Sequence, residues 1–240
     1  MQQFKSKFKG DEIGTLSNVQ SCIRLNDIDE IGDGTHLLYF NMIGLFSFRE
    51  LTVKQSIDFW LEFLNRLGLK PDYITIHPDK MDEWSIFYKE YDVEIKPDTE
   101  CIWSDGEIGG YCTEFYIDGV EIGNIVNPLG TCIDVGFGLE RLQMFTEQRT
   151  HDNKDSILIE TINKIIQSGY EPSNIKQGYV LRKLLRQLYK NGGSMEHTFY
   201  EQEVKRQQKI LERYNKLKDK HKDKPKDWWW ETMGIDLDLL

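Results

Sequence analysis

Asp134, Gly136, Gly138 and Arg141 stand at a spacing that could serve chemistry. Thr131, Cys132, Ile133 and Val135 read as the end of a strand, with Asp134 set among them. Leu139, Leu142 and Phe145 then recur at three-residue steps, which predicts a helix. Glycines at such a junction allow a sharp turn and let a flat ligand lie against the backbone. Arg141 falls on the first helical turn, where a guanidinium can stack on an aromatic base or meet a phosphate. A glycine-rich bend with a surface arginine also arises with no ligand, and G-x-G-x-x-R alone matches often by chance.

The elements that must position these residues are legible to different degrees. Thr52 and Gln55 form a capping box ahead of Ile57, Trp60, Leu61, Leu64 and Leu67 on one helical face, and Gly68 can end the helix. Cys22-Ile23-Arg24 reads as a short strand, with a turn at Asn26-Asp27. The apolar run Leu37–Ile43 fits either a buried strand or a short helix. Tyr73–Ile76 is a strand, and a short helix is expected over 81–90. Residues 101–135 look like antiparallel sheet, with Asp118-Gly119 as a hairpin turn. Alternation there sends Glu121 one way and Ile122 the other, so Glu121 taken blind is a solvated strand residue. After residue 150 the pattern is helical, over 157–166, around 178–186 and over 196–218.

The 240 residues suffice for one large or two modest domains. No run approaches the roughly 18 apolar residues of a membrane span, and the start has no apolar signal core. The net charge is −10, but residues 151–240 hold 17 Lys and Arg against 14 Asp and Glu. The acidic excess therefore lies in residues 1–150, and the second part is the better candidate for a phosphate backbone. Cys22, Cys101, Cys112 and Cys132 form no C-x-x-C pair, so no zinc site is expected and a reduced cytoplasmic chain is the default.

The string Asp-x-Gly-x-Gly-Leu-Glu-Arg at 134–141 resembles the third signature motif of class II aminoacyl-tRNA synthetases, in its alanyl-tRNA synthetase form. Residues 1–10 resemble that family's Met-x-Gln-Phe-Lys-x-x-Phe-x-Gly segment, before which a further stretch usually stands. Most of the first class II motif would then be lost, or replaced by a partner chain or by a rearrangement. The resemblance implies an α+β catalytic core on an antiparallel sheet over 1–150 and an all-α acceptor-stem domain over 151–240. It makes Arg24 the second motif's arginine, gripping the α-phosphate of ATP, where a fixed guanidinium stabilises charge as a carboxylate attacks. It places His36 on the β- or γ-phosphate, Phe40 on adenine, and Gly138 and Arg141 at the nucleotide. Thr35 and Asn41 stand where the family has arginine and glutamate, changes expected to weaken ATP binding or shift how it is held.

Gly110–Glu114 and Glu121–Val126 resemble the family's Gly-Pro-Cys-x-Glu and Glu-x-x-Asn-x-Val. The resemblance gives Glu121 to Mg²⁺, a cation that takes few carboxylates plus phosphate oxygens. It gives Trp103, Asn124, Val126, Asp134 and Gly136 to the amino-acid pocket, Asp134 pairing the α-ammonium. Gly123 replaces a bulky residue common there, which would reshape the pocket. Pro172-Ser173-Asn174 and the basic helix at 178–186 resemble the family's tRNA-reading helix. Asn174 would read an acceptor-stem base pair, Arg182 and Arg186 would face the backbone, and Glu231 stands where the family has a base-reading aspartate. Gln177 replaces a family arginine, and the Trp228–Trp230 triple reads as packing.

Three functions compete at this point. One is ATP-dependent activation of a small amino acid, alanine foremost, and its transfer to tRNA. The second is an aminoacyl ligase that loads a carrier protein or small molecule. The third is a non-catalytic binder of nucleotide or RNA.

Overall fold

The computed structural model describes residues 4–148 and 153–237. The chain divides into two units, Met1–Ile23 with Phe40–Thr150, and Arg24–Tyr39 with His151–Leu240. The boundary expected at 150 lies outside the described residues.

The first unit opens with helix α1 (Lys5–Lys9) and continues through β1 (Gly14–Ile23), β2 (Tyr39–Phe48), α2 (Val53–Arg66), β3 (Tyr73–Ile76), α3 (Met81–Trp84), β4 (Glu94–Pro97), β5 (Ile102–Ser104), β6 (Gly109–Ile117), β7 (Val120–Val126), β8 (Cys132–Gly138) and α4 (Leu139–Glu147). The sheet runs β1-β2-β8-β7-β6-β3-β4, with β5 on β6. The pairings of β2, β8, β7, β6, β5 and β3 are antiparallel, and β4 joins β3 in parallel. The expected α+β class on an antiparallel sheet is what forms. The apolar run that could have been helix is strand β2, and the short strand expected at 22–24 is the end of a ten-residue strand that stops at Ile23. Arg24 lies just beyond it.

Alternation along β8 separates two environments. Ile133, Val135 and Phe137 enter the core with Ile125, Phe115 and the apolar face of α2. Trp60 of α2 stacks on Phe137 at 4.6 Å between ring centroids. The Thr52–Gln55 capping box forms as read. Asp134, Gly136 and Gly138 face the other way. Neither glycine takes a positive φ, and both lie within the strand. Strand gives way to helix at Gly138 with no loop between β8 and α4, and the two glycines also leave their positions without a Cβ.

A β-bulge does what alternation alone would not. Phe115 pairs with Gly123 but Tyr116 pairs with Glu121, so Ile122 is an extra residue in β7. Ile122 is buried in the core, and a Cβ on Gly123 would lie 2.4 Å from the Phe137 ring and 2.7 Å from the Gly136 carbonyl oxygen. Both therefore point to the core side. The bulge re-aims Glu121 to the face that carries Asn124. The idea that Gly123 reshapes the pocket is corrected accordingly, since Phe137 fills its space. Gly123→Ala should destabilise the chain by about 1–3 kcal/mol through overpacking. A urea titration reads it, and an unchanged midpoint would contradict the assignment of this glycine to the core.

The second unit holds α5 (Lys154–Gln167), α6 (Lys176–Lys190), α7 (Thr198–Leu217) and α8 (Lys226–Met233). Asn153 caps α5 by accepting from Ser156 N at 3.0 Å. Leu181, Leu184, Leu185 and Leu188 of α6 pack with Ile157, Leu158, Ile162 and Ile165 of α5, and Ile31 and Leu38 join them. That burial is why residues 24–39 belong with the helices. Trp229 is buried against Tyr214, while Trp230 is 57% exposed, so packing accounts for only part of the tryptophan triple.

Candidate active site

Rows of register partners build a hollow on the face of the sheet opposite the core. One row runs Gly44, Gly136, Asn124, Glu114, Thr75 across β2, β8, β7, β6 and β3. The next runs Phe46, Asp134, Val126, Cys112. Gly44 and Gly136 lie side by side, so two adjacent positions lack side chains. The result is a cavity of about 220 Å³. Trp103, Asn124, Val126, Asp134 and Gly136, the five residues assigned to an amino-acid pocket, all line it. Sequence reasoning missed Asn18, Gln20 and Met42, which line it too. Their signal was faint: Asn18 and Gln20 are alternate polar residues on a strand that was read as starting later.

Asp134 sits between Phe46 and Val126 in register. Burial in that setting pushes its carboxyl up to about 6. A carboxylate so placed favours a cationic partner over water.

At one end of β8 the strand leads into α4 and Arg141. Its Nη1 donates to the Glu121 main-chain oxygen at 2.6 Å and lies 3.6 Å from the Glu121 carboxylate. Gly138 is beside it, where a Cβ would lie 3.5 Å from the Arg141 side chain. Arg141 and Glu121, assigned separately to ATP and Mg²⁺, are thus neighbours. Phe40 is on the cavity side of β2 by alternation with Met42, Gly44 and Phe46.

Asn41, read as the loss of a family glutamate, has a defined job. Its main-chain N and Nδ2 donate to the Glu140 carboxylate at 2.8 and 2.7 Å, and its Oδ1 accepts from Ser21 Oγ at 2.9 Å. These bonds tie β1 and β2 to the first turn of α4, next to Arg141. A glutamate at 41 would set two carboxylates against each other.

Arg24 and His36 belong to the second unit. Arg24 is 58% exposed in its side chain and pairs with Asp27 at 3.0 Å. His36 is held between Asp33 at 2.6 Å and Glu30 at 3.2 Å. Asp33 also accepts from the main-chain N–H groups of Thr35 and His36, which hold its carboxyl far below the usual range despite some burial.

A second cavity, of about 360 Å³, lies among α6, α7 and α8. Asn174, Arg182 and Arg186 line it, and Arg182 donates to the Asn174 amide oxygen. Glu231 is exposed and does not line it. Arg206, Tyr179 and Trp230 do, and sequence reading had given none of them a contact role, Trp230 being read as packing.

Residues 1–168 match the family described as tRNA synthetases class II (A). The chain belongs to that family. Its curated relatives include the alanine--tRNA ligases of Staphylococcus aureus strains JH9 and Newman, each 28% identical over 247 aligned positions. Those alignments cover 71% of this chain but 28% of each relative. This class II synthetase chain thus spans under a third of the length of the relatives it matches. Among solved structures, a pyrrolysyl tRNA synthetase of Desulfitobacterium hafniense is similar at 18% identity and a TM-score of 0.35, over 63% of this chain and 51% of that one. So slight a likeness carries no argument. Among the described residues no helix is long and apolar enough to cross a membrane.

Proposed function

We propose that this class II synthetase chain activates a small amino acid, alanine foremost, as its aminoacyl-adenylate and passes it to a tRNA acceptor end. The observation that carries the reading is the convergence of Asp134, Asn124, Trp103, Val126 and Gly136 on one cavity. Its 220 Å³ is below the roughly 300–1,000 Å³ of sites for drug-sized ligands, which suits a small substrate.

In this reading Asp134 pairs the substrate ammonium in a charge-assisted bond. Asn124 fixes orientation by hydrogen bonding, and Phe40 stacks on adenine beside the Gly138 backbone. The substrate carboxylate is already a nucleophile, so its attack on the α-phosphate needs no general base. Arg141 stabilises charge that gathers on phosphate as the bond to pyrophosphate breaks. Glu121 offers one part-exposed carboxylate, which fits Mg²⁺, a cation that draws its other ligands from phosphate and water. When bound with ATP, Mg²⁺ supplies charge neutralisation on the leaving pyrophosphate.

Amino-acid-dependent ATP–pyrophosphate exchange, screened over alanine, glycine and serine, tests the reading. Exchange with one of them supports it, and no exchange with any of them contradicts it. The affinity for that amino acid should follow the ionised form of Asp134. It should be level above pH 7 and fall about tenfold per pH unit below about 6. A flat profile down to pH 5 would exclude Asp134 as the ammonium partner.

For the second substrate, Asn174, Arg182 and Arg186 are the proposed acceptor-stem contacts, and Glu231 is the proposed further base reader. Arg186→Ala should weaken tRNA binding and lower the slope of log affinity against log salt by about 1. Gel shifts at two or more salt concentrations measure it. One observation favours the rival reading of a carrier-protein or small-molecule acceptor: Glu231 lies outside the cavity that Asn174 lines. No tRNA retardation from either the parent or the variant would select that rival.

A further inference from the structure

We propose that Cys101, Cys112 and Glu114 form a binding site for a zinc-type divalent metal ion, set behind the wall of the amino-acid cavity. Ten residues separate the two cysteines, a spacing that gave no metal signal in the sequence. The sheet removes that separation. Cys101 precedes β5 directly and lies opposite Cys112 of β6, whose main-chain N donates to the Cys101 carbonyl oxygen at 2.9 Å. Glu114 follows two positions along β6 on the same face.

The donor set suits the ion. Both cysteines are buried, at 0% and 3% exposure. The two sulfurs and a Glu114 oxygen all lie within 4.8 Å of one another. Tetrahedral zinc with thiolates at about 2.3 Å needs its ligand atoms roughly 3.7 Å apart, so side-chain adjustments of an ångström or less would close the site. Two thiolates and one carboxylate leave a fourth position for water or another ligand.

The surroundings are built to hold these ligands. The second Glu114 oxygen accepts from Tyr116 Oη at 2.7 Å and from Thr75 Oγ1 at 3.5 Å. Cys101 Sγ lies 3.0 Å from the same Thr75 hydroxyl. Carboxylate ligands held by such outer hydrogen bonds are the pattern of protein metal sites. Cys112 Sγ donates to Glu114 Oε1 at 3.8 Å, while Cys101 Sγ donates to Thr75 Oγ1. On binding, the metal replaces the two thiol protons, which leave to solvent, and the carboxylate binds as it is.

The position gives the ion a role distinct from that of the Mg²⁺ proposed at Glu121. Cys101 and Cys112 pack with Val126 and Trp103, both of which line the cavity. A metal bridging β5 to β6 would fix the strand that carries Trp103.

The test is metal analysis of the whole chain after loading with Zn²⁺ and dialysis, followed by Co²⁺ substitution. The expected result is one Zn²⁺ per chain and a Co²⁺ complex with a thiolate charge-transfer band. Cys101→Ser and Cys112→Ser should lose the band. Glu114→Gln should weaken binding at least tenfold, and Cys22→Ser, elsewhere in the chain, should leave it unchanged. A folded parent chain with no bound zinc, a cobalt spectrum lacking the thiolate band, or a band that survives in folded Cys101→Ser would each overturn the proposal. So would a Cys101–Cys112 disulfide in parent chain purified under reducing conditions, seen as a mass lower by two hydrogens. These readouts do not depend on the synthetase reaction.

Discussion

Arg141→Ala will cut amino-acid-dependent pyrophosphate exchange by at least a hundredfold and leave the sheet folded. The two effects separate because they draw on different interactions. In the fold, the guanidinium contributes one hydrogen bond to the Glu121 carbonyl and a part-exposed contact with its carboxylate. Losing a bond of that kind costs about 1–2 kcal/mol. In the proposed reaction the same group meets charge that appears only as the α-phosphate is attacked, and removing one such donor typically costs about 10²–10³ in rate. Arg141→Lys keeps the charge but not the planar fork, so it should recover only part of the loss. Exchange rates and a thermal melt of each variant measure both effects. Near-parental exchange in a folded Arg141→Ala chain would show that the nucleotide lies elsewhere.

Asp134→Asn should abolish saturation by the amino acid and, at the same time, raise the stability of the ligand-free chain. Burial holds the Asp134 carboxyl at about 6 instead of its ordinary 3.8. A carboxyl raised in this way favours its protonated form in the folded state. The ligand-free parent therefore gains stability as pH falls from about 6 towards 3.8, and above 6 it carries the cost that the raised value represents. The gap corresponds to at most about 3 kcal/mol. Asparagine keeps the shape and removes that cost, so the variant should melt higher than the parent at pH 7.5, by roughly 2–4 °C per kcal/mol regained. A residue held only for stability would give the opposite sign. A lower melting temperature, or unchanged amino-acid affinity, would refute the role given to Asp134.

What could be read from the chain follows from the range of the interactions involved. The Thr52–Gln55 capping box, the helix after it and the Asp118-Gly119 hairpin depend on residues within a few positions of one another, and each forms as expected. The run 37–43 was ambiguous because a short continuous apolar run has no period, and pairing with β8 decides it. The bulge at Ile122 was invisible, since it shows only when β7 is laid against β6. It decides which way Glu121 points and where the missing Cβ of Gly123 would have gone. The five cavity residues were named through resemblance, whereas Gly44 was not, because its value lies in being the register partner of Gly136. The bonds from Asn41 to Glu140 were not legible, because the two residues are brought together only by the pairing of β2 with β8. The cysteines were judged by their spacing along the chain, but strand pairing sets their distance.

The most direct measurement is a crystal structure of the chain with a non-hydrolysable alanyl-adenylate analogue. The account predicts the alanyl ammonium within about 3 Å of an Asp134 oxygen, the side-chain methyl over the Gly136 backbone, and the phosphate end directed towards Arg141. An analogue bound outside the Gly44–Gly136 hollow, or one inside it with its ammonium turned away from Asp134, would contradict the account.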